Sequence, residues 1–254
     1  MSLFSVMSPA EFVFALAVAF VAGSIKGMVG FALPMVIISG LSVFLSPSLA
    51  LAGLILPTLA TNAQQAFQEG ASAAFGSIRK FRVFLLIGLL CLLTSAQLVS
   101  FLSASSFLLI IGIPVSFFAL IQLLGLKLVL NKPSARVEAT AGAVAGVIGG
   151  ISGVWGPPTV AYLTALNTPK KDQMRVQGVI YGLGSVALVI AHIGSGILWG
   201  QSAVFSATLV LPAMAGMWCG LRLQDRIDQA AFRRLTLLVL LVAGLNLLRR
   251  GLVG

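Results

Sequence analysis

Two ionisable side chains stand inside long apolar runs of this 254-residue sequence: Lys26, in GSIKGMVGFALP, and His192, in VIAHIGSG. Both are positive or neutral, never negative. All six carboxylates, Glu11, Glu69, Glu138, Asp172, Asp225 and Asp228, fall at segment ends or in loops. A carrier of cations or a carboxylate-driven proton pump keeps an acid within the membrane, so this distribution points to a negative substrate. Two readings compete for Lys26. Its long stem lets it snorkel to a headgroup or a water-filled vestibule, or its charge attracts an anion among glycines that leave room for a ligand. His192 either hydrogen-bonds between helices or donates to an anion and carries a proton. Asn62, Gln64 and Gln65, in LPTLATNAQQAF, either line a path or join helices. Cys91 and Cys219 lie far apart in apolar runs, without metal-site neighbours, and read as small reduced core residues. One histidine, two separated cysteines and no embedded acid do not make a nucleophile, an acid–base pair or a metal cluster. The chain reads as a non-enzyme without metal or cofactor.

The elements that must position these residues follow from composition. Hydrophobic residues make up 59% and charged residues 9%, with a mean hydropathy of +1.08. Soluble domains carry about a quarter charged residues, so the chain is an integral membrane protein. Apolar runs near the length of a membrane helix recur throughout, which predicts an all-α polytopic protein rather than a β-barrel. The segments fall at 12–29, 33–45, 49–68, 83–101, 106–126, 137–155, 157–166, 177–199, 203–221 and 235–248. The pieces at 33–45 and 157–166 are short and read as half-helices or re-entrant segments, each following a glycine cluster. The start, MSLFSVMSPAEF, lacks the basic region of a cleaved signal peptide, so the first run is expected to remain as a helix. The net charge of +10 sits in short loops, where it sets topology; no segment is left for a nucleic-acid-binding domain. Placing the basic loops at Arg79–Arg82, Lys127–Arg136, Lys170–Arg175 and Arg222–Arg234 in the cytoplasm puts both termini outside. Arg249 and Arg250 run against that rule.

A shift of 126 residues lays Gly23, Gly27 and Gly30 over Gly149, Gly153 and Gly156, both stretches reading G-x-x-x-G-x-x-G. A shift of 125 lays Phe107–Leu123 over Phe232–Leu248. Uncharged loops of one half match basic loops of the other, so the halves, 1–130 and 131–254, read as inverted-topology repeats of one membrane domain. Each has about four full helices and a half-helix, an architecture of secondary transporters. The glycine spacing also suits close helix packing. It does not account for the proline that follows, at Pro34 and at Pro157–Pro158. Glycine relaxes a helix, and proline fits the first turn of the next. The expected product is an unwound stretch feeding a new helix whose free N–H groups attract anions, with the two breaks meeting near mid-membrane.

The glycine break followed by proline, repeated in both halves, resembles the sulfite exporter TauE/SafE family of membrane permeases. So does the ending GMWCGLRLQDRI…FRRLTLLVLLVAGLNLLRRG. The resemblance covers nearly the whole chain and falls on Gly23, Gly27, Gly30 and Pro34, and on Gly149, Gly153, Gly156 and Pro157. It implies a multi-pass protein of a bacterial-type inner membrane that transports sulfite or organosulfonates such as sulfoacetate, as an exporter, by alternating access. An anion channel, a permease for another small organic anion and a non-transporting membrane subunit stand as alternatives. The expected partners are a small anion, the bilayer and a second copy of the chain as a homodimer. The candidate substrate-binding residues are Lys26, Gly27, Gly30, Phe31, Asn62, Gln65, Gly153, Trp155, Gly156, Pro157, Thr159 and His192.

Overall fold

A computed structural model describes residues 7–41, 43–95, 104–126, 130, 134–152, 156–194 and 196–253. Every regular element among them is an α-helix. In chain order these are α1 (Pro9–Val29), α2 (Leu33–Leu41), α3 (Pro47–Phe67), α4 (Ala71–Lys80), α5 (Arg82–Ser95) and α6 (Ala104–Leu123). The remainder are α7 (Ala135–Ser152), α8 (Gly156–Ala165), α9 (Lys170–Gly194), α10 (Gln201–Thr208), α11 (Val210–Arg226) and α12 (Gln229–Val253). Among the described residues four stretches are long and apolar enough to cross a membrane: Pro9–Val29, Lys170–Gly194, Gln201–Arg226 and Gln229–Val253. Side chains such as Phe14, Leu90, Ile190, Leu211 and Val242 are exposed on these helices and on α5. Apolar surface on that scale belongs against lipid.

Local chemistry sets the element ends. Ser8 and Glu11 form a reciprocal capping box at the start of α1, with Pro9 in its first turn. Both satisfy backbone donors that have no helical partner. The stop at α10 comes from Pro212, the third residue of α11, which lacks an N–H and crowds the carbonyl four residues back. α4 is a helix absent from the apolar-segment reading. Only Ala74 and Ser77 of its residues are buried, a face too narrow to register as an apolar run.

The chain divides into two compact units, each mixing both halves of the sequence: residues 1–70 with 174–228, and residues 71–173 with 229–254. In the first unit α1 packs along α11, and α2, α3 and α10 complete the core. Leu33, Ile37 and Leu41 repeat every four residues along one face of α2 and are fully buried with Ile55, Phe205 and Leu209. The α1–α11 crossing is close because its facing residues are small. A methyl group added at Gly23, Gly27, Gly216 or Gly220 would overlap the partner helix's backbone. In the second unit α5 packs along α7 and α6 along α12. Gly88, Gly142 and Gly146 make the first of these contacts, and Gly112 and Gly244 the second. Glu138, in the first turn of α7, accepts a hydrogen bond from the Phe84 backbone N–H at 3.1 Å, and Phe84 stacks on Tyr162 with ring centroids 5.7 Å apart.

Candidate functional site

α1 ends where glycine permits it. Gly30 takes the left-handed conformation, φ 87°, and returns its N–H to the Lys26 carbonyl at 2.6 Å. That is a glycine C-cap. Ala32 is also left-handed, φ 76°, which strains a residue with a Cβ. Between Val29 and Leu33 the backbone is not helical, and α2 begins with Pro34 as its second residue. A short non-helical stretch with proline in the first turn of the next helix thus stands between α1 and α2.

The Lys26 side chain lies in the last turn of α1 and is buried, 1% exposed. Its ammonium donates to Oδ1 of Asn62 on α3 and stands 6.0 Å from the centroid of the Tyr181 ring on α9. A cation at that distance is attracted by the ring face, and the helix C-terminus favours positive charge as well. The snorkelling reading therefore does not hold for this conformation, because the head group is packed rather than solvated. One turn beyond Asn62, Gln65 donates through Nε2 to the Gly30 carbonyl at 3.0 Å and to the Met174 carbonyl at 2.7 Å. Gly30 is crowded from the other side by α9. A methyl group there would overlap Gln177 Oε1 and come within 2.7 Å of Met174 Sδ.

These contacts gather Lys26, Gly30, Asn62, Gln65, Met174, Gln177 and Tyr181, all within the first unit. The group is polar and almost fully enclosed: Lys26, Asn62, Gln65 and Gln177 are each at most 1% exposed. Among the described residues four of its polar atoms have no hydrogen-bond partner: Asn62 Nδ2, Gln65 Oε1, and both Oε1 and Nε2 of Gln177. Each such buried orphan costs about 1–3 kcal/mol. Such atoms are ordinarily met by water, an ion or a ligand. Sequence reasoning missed Gln177, Met174 and Tyr181. A signal was available in the spacing of Gln173, Gln177 and Tyr181, four residues apart and so on one face of α9.

The remaining candidates sit elsewhere. Phe31 is buried in the break beside Gly30. Gly27 lies against the backbone of Met217 and Gly220 on α11, so the close-packing reading describes its surroundings. His192 is half-buried in the last turn of α9. Eleven residues separate it from Tyr181, about 16 Å along the helix. In the second unit α8 begins at Gly156, with Pro157 and Pro158 in its first turn and Thr159 buried behind them. Gly153 and Trp155 lie outside the described residues. Cys91 is half-buried and Cys219 exposed, so the reading of both as core residues is corrected: Cys219 is on the outward face of α11. Each carboxylate lies in the first or last turn of a helix or between helices. Glu69, just past α3, pairs with Arg175.

Long apolar helices, acids confined to helix ends and a buried ammonium among orphaned amides define a multi-pass membrane protein with an internal polar site. The family model described as sulfite exporter TauE/SafE matches residues 15–247, and the chain belongs to that family of membrane transporters. No curated protein and no solved structure matches the chain.

Proposed function

We propose that the protein moves a small sulfur-containing oxyanion, sulfite or an organosulfonate, across the bacterial-type inner membrane as an exporter. The observation that carries this reading is the enclosed ammonium of Lys26 beside amide atoms of Asn62, Gln65 and Gln177 that have no hydrogen-bond partner among the described residues. A buried charge without a counter-ion is costly, and an oxyanion supplies both the opposite charge and hydrogen-bonding groups. Gly30 contributes by holding Gln65 through its carbonyl.

Transport by alternating access of two inverted repeats, 1–130 and 131–254, completes the proposal. The helix pairing supports it. α1 of the first half pairs with α11 of the second, and α7 of the second half pairs with α5 of the first. Exchanging the halves turns one pair into the other. Both termini are placed outside on the loop charges, and a homodimer is the proposed assembly. The test is sulfite efflux from liposomes that contain the purified protein. Saturable efflux absent from empty liposomes is the expected result. If no small oxyanion moves, the proposal fails.

A further inference from the structure

The hydrogen-bonding capacity of the Lys26 cluster specifies more than negative charge. Amide oxygens and nitrogens are distinguished by their partners, and here the partners decide. Asn62 must turn its oxygen to the Lys26 ammonium, which leaves Nδ2, a donor, free. Gln65 must turn its nitrogen to two carbonyls, Gly30 and Met174, which leaves Oε1, an acceptor, free. Gln177 uses neither end, so it offers one donor and one acceptor in either orientation. The cluster thus provides one ammonium, donors from Asn62 and Gln177, and acceptors from Gln65 and Gln177. Among the described residues it contains no carboxylate and no second cation.

A fully deprotonated oxyanion can only accept hydrogen bonds. Against this cluster it would leave the two amide oxygens unpaired and directed at negative charge. A dianion would also bury one charge beyond what a single ammonium neutralises, where water cannot help. A monoanion bearing one hydroxyl meets all of these atoms but one: its anionic oxygens take the ammonium and the amide N–H groups, and its O–H donates to one of the two amide oxygens.

We propose that the Lys26 cluster selects a monoanion that itself carries a hydrogen-bond donor, such as hydrogensulfite or a hydroxylated alkanesulfonate. It rejects dianions, including sulfate, fully ionised sulfite and sulfoacetate. This rests on the anion-transport reading and narrows it.

The test compares three anions at one pH in protein-containing liposomes. 2-Hydroxyethanesulfonate and ethanesulfonate are both monoanions and differ by one hydroxyl; sulfate is the small dianion. A site that hydrogen-bonds a substrate hydroxyl discriminates strongly against the analogue without it. The expected kcat/KM for 2-hydroxyethanesulfonate is therefore roughly 10- to 100-fold above that for ethanesulfonate, with sulfate lower still. Gln177→Met removes one free donor and one free acceptor, and is expected to bring the hydroxyl preference toward one. Because wild-type protein carries the primary comparison, a variant that folds poorly does not remove the test. Equal transport of the two sulfonates, or sulfate at least as fast, overturns this inference while leaving an anion transporter. Absence of flux for every anion, sulfite included, overturns the transport reading itself.

Discussion

Lys26→Met separates binding from folding at the centre of the proposed site. Methionine keeps the length and most of the volume of the side chain but not its charge. Removing one member of a buried charge pair costs about 3–5 kcal/mol. With an anion as that partner, affinity falls by roughly two to three and a half decades at about 1.4 kcal/mol per decade. Stability answers differently. The substitution relieves the cost of burying an ammonium but strands Asn62 Oδ1, whose donor is Lys26, at about 1–3 kcal/mol. Adding Asn62→Leu removes the stranded oxygen, and replacing both polar partners by apolar groups is near neutral or stabilising. The double variant is thus expected to regain the thermal midpoint lost by Lys26→Met and to regain no affinity. Titration calorimetry with sulfite and thermal unfolding of the same detergent-solubilised samples read both quantities. Lys80→Ala, at the exposed end of α4, is the control for charge removed elsewhere. If Lys26→Met binds sulfite within about threefold of Lys80→Ala, or if the double variant recovers affinity together with stability, Lys26 serves the fold and not the anion.

Other substitutions probe the supports of the site. Gly30→Ala imposes a left-handed Cβ, worth about 1–2 kcal/mol, and adds an overlap with Gln177 Oε1; a lower thermal midpoint and weaker sulfite binding are expected together, and a change in neither refutes the described break. Gly146→Ala places a methyl group on the backbone of Gly88 and is expected to destabilise by about 1–3 kcal/mol, as overpacking does. Gly182→Ala, mid-helix in α9 with open space around its Cβ, is expected to stabilise by about 0.5–1 kcal/mol; equal effects of the two would contradict the α5–α7 approach. Arg175→Ala breaks the Glu69 pair, whose side chains are 17% and 32% exposed, and at that exposure is expected to cost no more than about 1 kcal/mol of unfolding free energy.

The fold was readable where hydrophobicity alone decides it. The segment at 12–29 is the body of α1, those at 33–45 and 157–166 are α2 and α8, and the run at 203–221 lies within α10 and α11. Composition could not reveal α4, whose burial is confined to two positions, nor the stop at Leu209, which depends on a proline three residues later. The site was partly readable. Lys26 stood out because charge in an apolar run is expensive, and the amides of α3 stood out for the same reason. That Asn62 and Gln65 meet the end of α1, and that Gln177 and Tyr181 join them from α9, is set by the crossing of helices distant in sequence. No spacing within a segment encodes that.

The glycines of the opening motif divide their work, and this explains how one short stretch both holds and opens a helix. Gly23 and Gly27 let α1 lie against α11, so the helix that carries Lys26 is fixed by close backbone contact. Gly30 then ends that helix in a conformation other residues adopt only with strain. Its carbonyl, no longer held within a helix, accepts from Gln65 Nε2. That bond and the one to the Met174 carbonyl commit the amide nitrogen and leave the oxygen without a partner among the described residues. The sequence pattern alone suggests helix-terminal N–H groups for an anion; the break also helps, with the Met174 carbonyl, to fix which end of a neighbouring amide remains available. Under the proposed selectivity, the Gly30 carbonyl, together with that of Met174, makes this motif a determinant of whether the anion must also bring a proton.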